Sequence, residues 1–288
     1  MDKEIIKKAD TLIEALPYIQ SFYGKTIVIK YGGAAMTDKT VRRNVLKDMV
    51  FMSYVGMRPI LVHGGGPHIS KRIEKLGREV KFINGMRVTN KETMAIVEEE
   101  LTKLSQHIVQ EIVSLGGSAI SLSGKDQLIE VKKRADIEGQ DMGFVGEITK
   151  INGAVIQKII ASDIIPVIAP IGVNSKDKLA YNINADDVAA EIAGALGAVK
   201  FVLLTNVGGI MRDMKDPDTL LPFVSVAVVK RLIKSGIISG GMIPKVNACM
   251  RALKYGVIKT HIVNEKIEHA LLLEIFTDKG VGTEIVRK

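Results

Sequence analysis

The chain has 288 residues, 47% of them hydrophobic, and a formal net charge of +8, enough length for one large domain or two lobes around a substantial core. Its one cysteine, Cys249, excludes a disulfide framework within the chain, and Asp2, Lys3, Glu4, Lys7, Lys8 and Asp10 interrupt any secretory leader, so the expected compartment is the cytoplasm. No apolar stretch approaches the ~20 residues of a membrane span, and the basic residues are dispersed without a single Trp to stack bases, so neither membrane nor nucleic acid is an expected partner; small anions suit the basic balance.

Residues 3 to 16 carry apolar side chains at Ile5, Ile6, Ala9, Leu12, Ile13 and Leu16, the spacing of an amphipathic helix expected to end before Pro17. Thr26-Ile27-Val28-Ile29 predicts a buried strand that stops at Tyr31-Gly32-Gly33. A helix follows, capped by Asp38, with Val41, Val45, Leu46, Met49 and Val50 on one face. The unit then repeats as strand Pro59-Ile60-Leu61-Val62, loop His63-Gly64-Gly65-Gly66, and a helix opened by Pro67. Strands alternating with helices predict a three-layer αβα sandwich with a mostly parallel central sheet.

Thr89-x-x-Glu92 has the pattern of a capping box before a long helix striped with Met94, Val97, Leu101, Leu104, Ile108 and Ile112, closed by Gly116-Gly117. Residues 118 to 150 change character and predict hairpins around 128–131 and 144–148. A helix at 152–162 and a strand at 165–169 lead into a second series. That series has a helix at 187–196, a strand at 200–204, a loop at 213–219, helices near 225–235 and 243–255, and closing strands at 261–263 and 283–286. No repeat or flexible linker separates the halves, so they are expected to share one sheet.

Chemistry concentrates at the ends of the first two strands. Lys30-Tyr31-Gly32-Gly33 and His63-Gly64-Gly65-Gly66-Pro67 place glycines where backbone N–H groups can approach an anion, each followed by a helix N-terminus. Tight strand-to-helix turns use glycine for steric reasons too, but two such loops in successive units favour a ligand. Neither the G-x-x-x-x-G-K-[ST] loop nor a G-x-G-x-x-G after a strand is present. Lys30 occupies a strand end that would otherwise be apolar and offers a point charge. Lys245, beside Gly240-Gly241, reads by itself as a solvated helix lysine. Asn182, Asn184 and Asp186 precede an Ala-rich helix; capping by Asn184 or Asp186 accounts for them without a ligand, and a substrate-orienting loop is the alternative. Arg87 has the planar fork that suits a carboxylate. The five histidines lack metal-ligand spacing, so no metal held by protein side chains is expected.

Five segments carry a resemblance. Ile29-Lys30-Tyr31-Gly32-Gly33-Ala34-Ala35-Met36, Val62-His63-Gly64-Gly65-Gly66-Pro67, Asn84-Gly85-Met86-Arg87-Val88-Thr89, Tyr181-Asn182-Ile183-Asn184-Ala185-Asp186 and Ile238-Ser239-Gly240-Gly241-Met242-Ile243-Pro244-Lys245 resemble the acetylglutamate kinase branch of the amino acid kinase family. Gly143-Phe144-Val145-Gly146-Glu147 and His269-Ala270-Leu271-Leu272-Leu273-Glu274 look like it too, and the likeness runs from about residue 17 to the C-terminus. The resemblance implies a helical extension over 1–23, an acetyl-glutamate lobe over 24–180 and an ATP lobe over 181–288. It implies phosphorylation of the side-chain carboxylate of N-acetyl-L-glutamate by ATP, in arginine biosynthesis. Lys30 and Lys245 would stabilise the transferring phosphoryl group, with Asp186 positioning both. Gly32, Gly33 and Gly65 would donate N–H bonds to it. Gly65, Gly66, Arg87, Asn182 and Asn184 would meet the acid, and Thr205, Asn206 and Gly209 the nucleotide. Mg would arrive with ATP.

A carboxylate nucleophile is already ionised at neutral pH, so no general base is demanded. Related enzymes acting on glutamate, aspartate or carbamate remain alternatives, as does a catalytically idle sensor. Two residues depart from the family pattern: Asn206 stands where an aspartate is usual, and Lys279 where an acidic residue is common. The N-terminal helix, by the same resemblance, implies a homohexamer built as a trimer of dimers and inhibited by L-arginine, the effector lying near that helix, His269 and Gly280-Val281-Gly282. A nitrogen-signalling protein as partner is compatible with the resemblance and is written in no particular residue.

Overall fold

A computed structural model describes residues 3–137, 139–277 and 280–288; Lys279 lies outside them. The chain begins with helix α1 (Lys3–Phe22), then β1 (Thr26–Tyr31), α2 (Lys39–Tyr54), β2 (Arg58–His63) and α3 (Gly66–Lys75). A small hairpin of β3 (Phe82–Ile83) and β4 (Met86–Arg87) precedes α4 (Lys91–Ser114), β5 (Ala119–Leu122), β6 (Ile129–Lys133), β7 (Gly146–Ile151), α5 (Gly153–Ile160) and β8 (Ile165–Ile168). Then come β9 (Ile171–Val173), β10 (Ala180–Asn182), α6 (Ala185–Ala195), β11 (Lys200–Thr205), β12 (Phe223–Ser225), α7 (Val226–Lys234), α8 (Met242–Lys254), β13 (Lys259–Asn264), α9 (Ala270–Ile275) and β14 (Thr283–Val286).

Eight strands form the main sheet in the order β12-β14-β13-β11-β1-β2-β8-β5, with β10-β9-β6-β7 as a separate four-stranded sheet. Every pairing in the main sheet is parallel except β13 with β14. The strands alternate strictly between its faces. Val28, Ile60, Val62, Leu203 and Ile262 point to one side, where α5, α6, α7 and α8 pack, and Ile27, Ile29, Leu61, Val202, Leu204 and Val263 to the other, against α2, α4 and α9. The period of two thus fills two cores at once, and each wholly buried Ile or Leu contributes roughly 1.5–3 kcal/mol. The expected αβα sandwich and the single sheet shared by both halves are therefore what forms.

Three expectations need correction. Helix α1 does not stop before Pro17 but runs through it to Phe22. Its last turn is held by the body of the protein, because Tyr18 packs its ring on Phe276 and Phe22 joins the core, and that packing offsets the hydrogen bond that a mid-helix proline removes. Helix α4 is capped by Asn90, whose side chain accepts from the Thr93 amide, and not by Thr89. Finally, residues 118 to 150 are not hairpins alone: Ala119–Leu122 is an edge strand of the main sheet, pairing in parallel with β8. Serines at 118, 121 and 123 break its apolar run, so it lacks the signature of a buried strand.

Candidate active site

Strands β1 and β2 lie side by side in register, with Lys30 opposite Val62 and Tyr31 opposite His63. Their carboxyl ends therefore deliver both glycine loops to one place. The Gly64 amide donates to the Tyr31 carbonyl at 2.8 Å, and a Cβ on Gly32 would stand 3.0 Å from the Lys30 Nζ and 3.4 Å from the Gly64 Cα. Any side chain there would displace the lysine head, so Gly32 is required by close approach. Gly33 has φ +93 and Gly65 no room for a side chain beside Leu101.

Above the loops lies a cavity of ≈ 260 Å³ lined by Lys30, Gly33, Gly64, Gly65, Gly66, Arg87, Asn182, Asn184 and Asp186, with Phe82, Pro170 and Ile183 among its apolar walls. Residues from position 30 to position 186 thus converge at the sheet edge, where open α/β folds bind their ligands.

Asp186 is the electrostatic centre. It sits in the first turn of α6, buried, with one carboxylate oxygen 2.7 Å from Lys30 Nζ and the other 3.6 Å from Lys245 Nζ. Burial pushes its carboxyl up, but the two lysine charges outweigh burial and hold it below the ordinary carboxylate range. The capping role falls to Asn184, which accepts from the Asp186 amide at 2.8 Å, so Asp186 is left to the lysines. Lys245 stands in the first turn of α8, far more buried than a solvated helix lysine and aimed at Asp186. Helices α3 and α8 both begin without a side-chain cap, which leaves N–H groups and positive dipole ends near the lysines.

Arg87 is buried at the end of β4. One guanidinium nitrogen donates to the Gly66 carbonyl at 3.1 Å and to the Ser70 hydroxyl at 2.8 Å, and the group lies 4.6 Å from the centre of the Phe82 ring. Its other terminal nitrogen, Nη1, is buried with no hydrogen-bond partner among the described residues. Burial lowers its pKa from the usual guanidinium value, partly opposed by Glu74. A buried cation with an unused donor is costly unless an anion completes it. Asn182 donates to the Thr89 hydroxyl at 3.2 Å, and that hydroxyl donates to the Arg87 carbonyl at 2.8 Å. Thr89, read from sequence as a helix cap, is thus a strut between two site residues, and only its one-residue offset from the helix start hints at this.

The expected nucleotide residues occupy a neighbouring region. Asn206 and Gly209 line a second cavity of ≈ 270 Å³ with Ile210, Met211, Ile238, Met242 and Asn264. Thr205 is buried at the end of β11 with its hydroxyl 3.4 Å from the Asn206 side-chain oxygen, and does not line that cavity. Gly209 has φ +145, and a Cβ there would meet the Thr283 hydroxyl.

The two residues expected at an effector site are placed differently. His269 lies with its Nδ1 2.6 Å from a carboxylate oxygen of the buried Asp48, and Gly282 donates its amide to Glu274 at 3.2 Å. Neither lines the large cavity of ≈ 1020 Å³ between the end of α1 and the sheet. Tyr18, Ser21, Phe22, Lys25, Lys200, Lys259, Glu274, Gly280 and Glu284 do.

A sequence profile of the amino acid kinase family matches residues 25–264. The acetylglutamate kinase of Desulforamulus reducens is 49% identical over 98% of both chains. That of Moorella thermoacetica is 51% identical over 98% of both, and that of Trichormus variabilis 48% identical over 99% of this chain and 97% of its own. In structure, N-acetylglutamate synthase of Neisseria gonorrhoeae, complexed with coenzyme A and N-acetyl-glutamate, superposes with a TM-score of 0.86 at 24% identity over 97% of this chain. This chain spans 63% of that synthase. Carbamate kinase of Giardia lamblia, bound to AMP-PNP, superposes at 0.67 with 17% identity over 92% of this chain and 99% of its own. At such identities the two structures speak to the fold alone.

Proposed function

The chain belongs to the amino acid kinase family, and on that premise we propose that it is an acetylglutamate kinase, transferring the γ-phosphoryl group of ATP to the side-chain carboxylate of N-acetyl-L-glutamate to give N-acetyl-L-glutamyl 5-phosphate and ADP. The observation that carries this reading is one buried carboxylate, Asp186, held between Lys30 and Lys245 above two glycine loops. Phosphoryl transfer from ATP to a carboxylate brings an anion against a polyanion, and little covalent chemistry is left to the protein. The two lysines neutralise charge that spreads over the phosphoryl oxygens. The amides of Gly32, Gly33 and Gly65 donate to those oxygens without reorganising. Arg87 Nη1 takes the α-carboxylate, and Asn182 holds the acetamido end, with Asn184 alongside. ATP lies over the 181–288 lobe with its base towards Asn206 and Gly209, and the acid is bound by the 24–180 lobe. Asn206 keeps a hydrogen-bonding side chain without the charge usual at that position.

Mg would arrive with ATP, held mainly by its phosphates, and would neutralise part of their charge. Asp186 is the sole carboxylate among the described residues that line the cavity, and the lysines already occupy it, so the ion's protein contacts are few.

The large cavity beside α1 supports regulation by L-arginine. It offers two carboxylates, Glu274 and Glu284, for a guanidinium, and Lys25, Lys200 and Lys259 for a carboxylate. The exposed apolar residues of α1, Leu12 and Ile13 at 68% and Leu16 at 44%, need a cover, and the same face on a second copy would supply it, joining dimers into the hexamer. Arginine would then favour a form with the lobes apart. Operation in the cytoplasm goes with this reading.

An acyl phosphate is the distinguishing product. With ATP and acetyl-glutamate, hydroxylamine should trap it as a hydroxamate at the rate at which ADP appears. ADP release without hydroxamate would refute transfer to the carboxylate.

A further inference from the structure

His63 is wholly buried, stands immediately before the glycine triplet, and takes no part in the chemistry above. Its Nδ1 lies 3.0 Å from the Gly64 carbonyl oxygen, and its Nε2 lies 2.6 Å from the hydroxyl of Ser105 in the middle of α4. A carbonyl only accepts, so Nδ1 carries the proton. In the neutral ring Nε2 then accepts from the Ser105 hydroxyl. Burial keeps the ring neutral by driving its pKa down to about 4, so this tautomer is the one present at neutral pH.

The consequence follows from the planarity of the peptide. The Gly64 carbonyl and the Gly65 N–H belong to one rigid trans unit and point in opposite directions. Fixing the carbonyl against the imidazole directs the Gly65 N–H away from it. That N–H meets no backbone or side-chain acceptor among the described residues, and Gly65 lines the cavity. The preceding peptide is fixed as well, since the Gly64 amide donates to Tyr31. Glycine would otherwise let this peptide rotate at small cost.

We propose that His63, locked by Ser105, is a positioning residue that aims the Gly65 amide at the transferring phosphoryl group. This rests on the reading of the site as a phosphoryl-transfer centre. It extends the catalytic apparatus to a side chain that lies behind the loop and touches neither substrate. The strap is local and rigid: strand, imidazole, serine and helix form one hydrogen-bonded chain from the core of α4 to the loop.

Three substitutions separate the two ends of the ring. Asn at position 63 keeps an N–H where Nδ1–H stood, Gln places its amide near Nε2 and abandons the Gly64 carbonyl, and Leu keeps only volume. For His63→Gln and His63→Leu, kcat should fall at least ~10-fold, the scale of a misaimed oxyanion donor, while KM for acetyl-glutamate and for ATP stays within about threefold. His63→Asn should recover most of that loss even if its melting temperature matches that of the Leu variant. Ser105→Ala, which leaves the imidazole in place but unlocked, should lie between. Binding gives a second readout: the Gln and Leu variants should lose affinity for ADP–aluminium fluoride with acetyl-glutamate and keep affinity for a non-hydrolysable ATP analogue. Activity that follows melting temperature across the set, or an Asn variant as impaired as Leu, would overturn the inference. A wild-type enzyme that makes no acyl phosphate would overturn the functional reading instead.

Discussion

The lysines that share Asp186 are not equivalent in their surroundings, and their substitutions should separate accordingly. Lys30 touches the carboxylate at 2.7 Å and is buried, so Lys30→Ala strands a buried anion and should cost both turnover and stability. Lys245 is 3.6 Å away and more exposed. Lys245→Ala should lower kcat about 10²-fold while leaving the melting temperature nearly unchanged; near-wild-type turnover would remove it from the chemistry. Arg87→Lys should raise KM for acetyl-glutamate roughly 10-fold or more with little change for ATP, because a point ammonium cannot hold Ser70, the Gly66 carbonyl and a carboxylate together. If KM for ATP moves instead, Arg87 serves the other ligand. Lys30, the two glycine loops and Arg87 were legible in the sequence, since a charge at a strand end, paired glycines and a planar fork each carry a physical signature. Lys245 looked ordinary because its partner lies 59 positions away. Ser70 and Ser105 are silent for the same reason, whereas Thr89 carries a helix-cap signature that masks its role between Arg87 and Asn182.

At the scale of elements, helix α4 holds both glycine loops. Ser105 anchors His63 of the second loop. Two turns further on, Glu111 takes Arg42 through both oxygens, at 2.7 and 2.8 Å, and Arg42 donates to the Met36 carbonyl beyond the first loop. Helix α1 plays the opposite part, packed at its last turn and exposed before it. Removing residues 2–16 leaves Tyr18 and Phe22 in place. The truncated enzyme should remain active, run as a smaller particle by light scattering, and respond less to arginine; an unchanged hexamer with intact inhibition would show that the helix serves only its own subunit. The element pattern explains where sequence reading worked. Buried strands such as β1, β2 and β11 announce themselves by unbroken apolar runs and helices such as α4 by their stripe, whereas β5, β9, β10 and β12 are short and interrupted by Ser, Gly or Asn. Pro17 signals a helix stop by local propensity alone, and the tertiary contacts of Tyr18 and Phe22 override it.

Over the whole molecule, buried imidazoles set an acid limit to stability. Burial lowers the pKa of His63 to about 4, and also lowers those of His68 and His261. The unfolded chain takes up these protons first, near pH 6.5, so stability is fully present above that value and is lost as pH falls towards 4. His63 alone accounts for about 3 kcal/mol of this. Asp48, Asp187 and Glu191, whose carboxyls burial pushes up, oppose the loss in part. Denaturant midpoints should therefore fall steadily from pH 7 to pH 5, and a flat profile would mean that these rings are not held neutral.

The main sheet, which buries His63 and His261, carries Lys30 and the Gly65 loop to a cavity that Arg87, Asn182 and Asp186 reach from β4, β10 and α6, and this cavity is where N-acetyl-glutamate would be phosphorylated. Steady-state ADP release, measured in parallel with acetyl-glutamate, glutamate, aspartate and carbamate, tests it most directly. For acetyl-glutamate kcat/KM should stand at least ~10²-fold above each of the others: the free ammonium of glutamate or aspartate brings positive charge to a site already crowded with cations and leaves Asn182 without its acetamido partner, and carbamate has no α-carboxylate for Arg87. Equal or higher kcat/KM with any of the other three acids would contradict it.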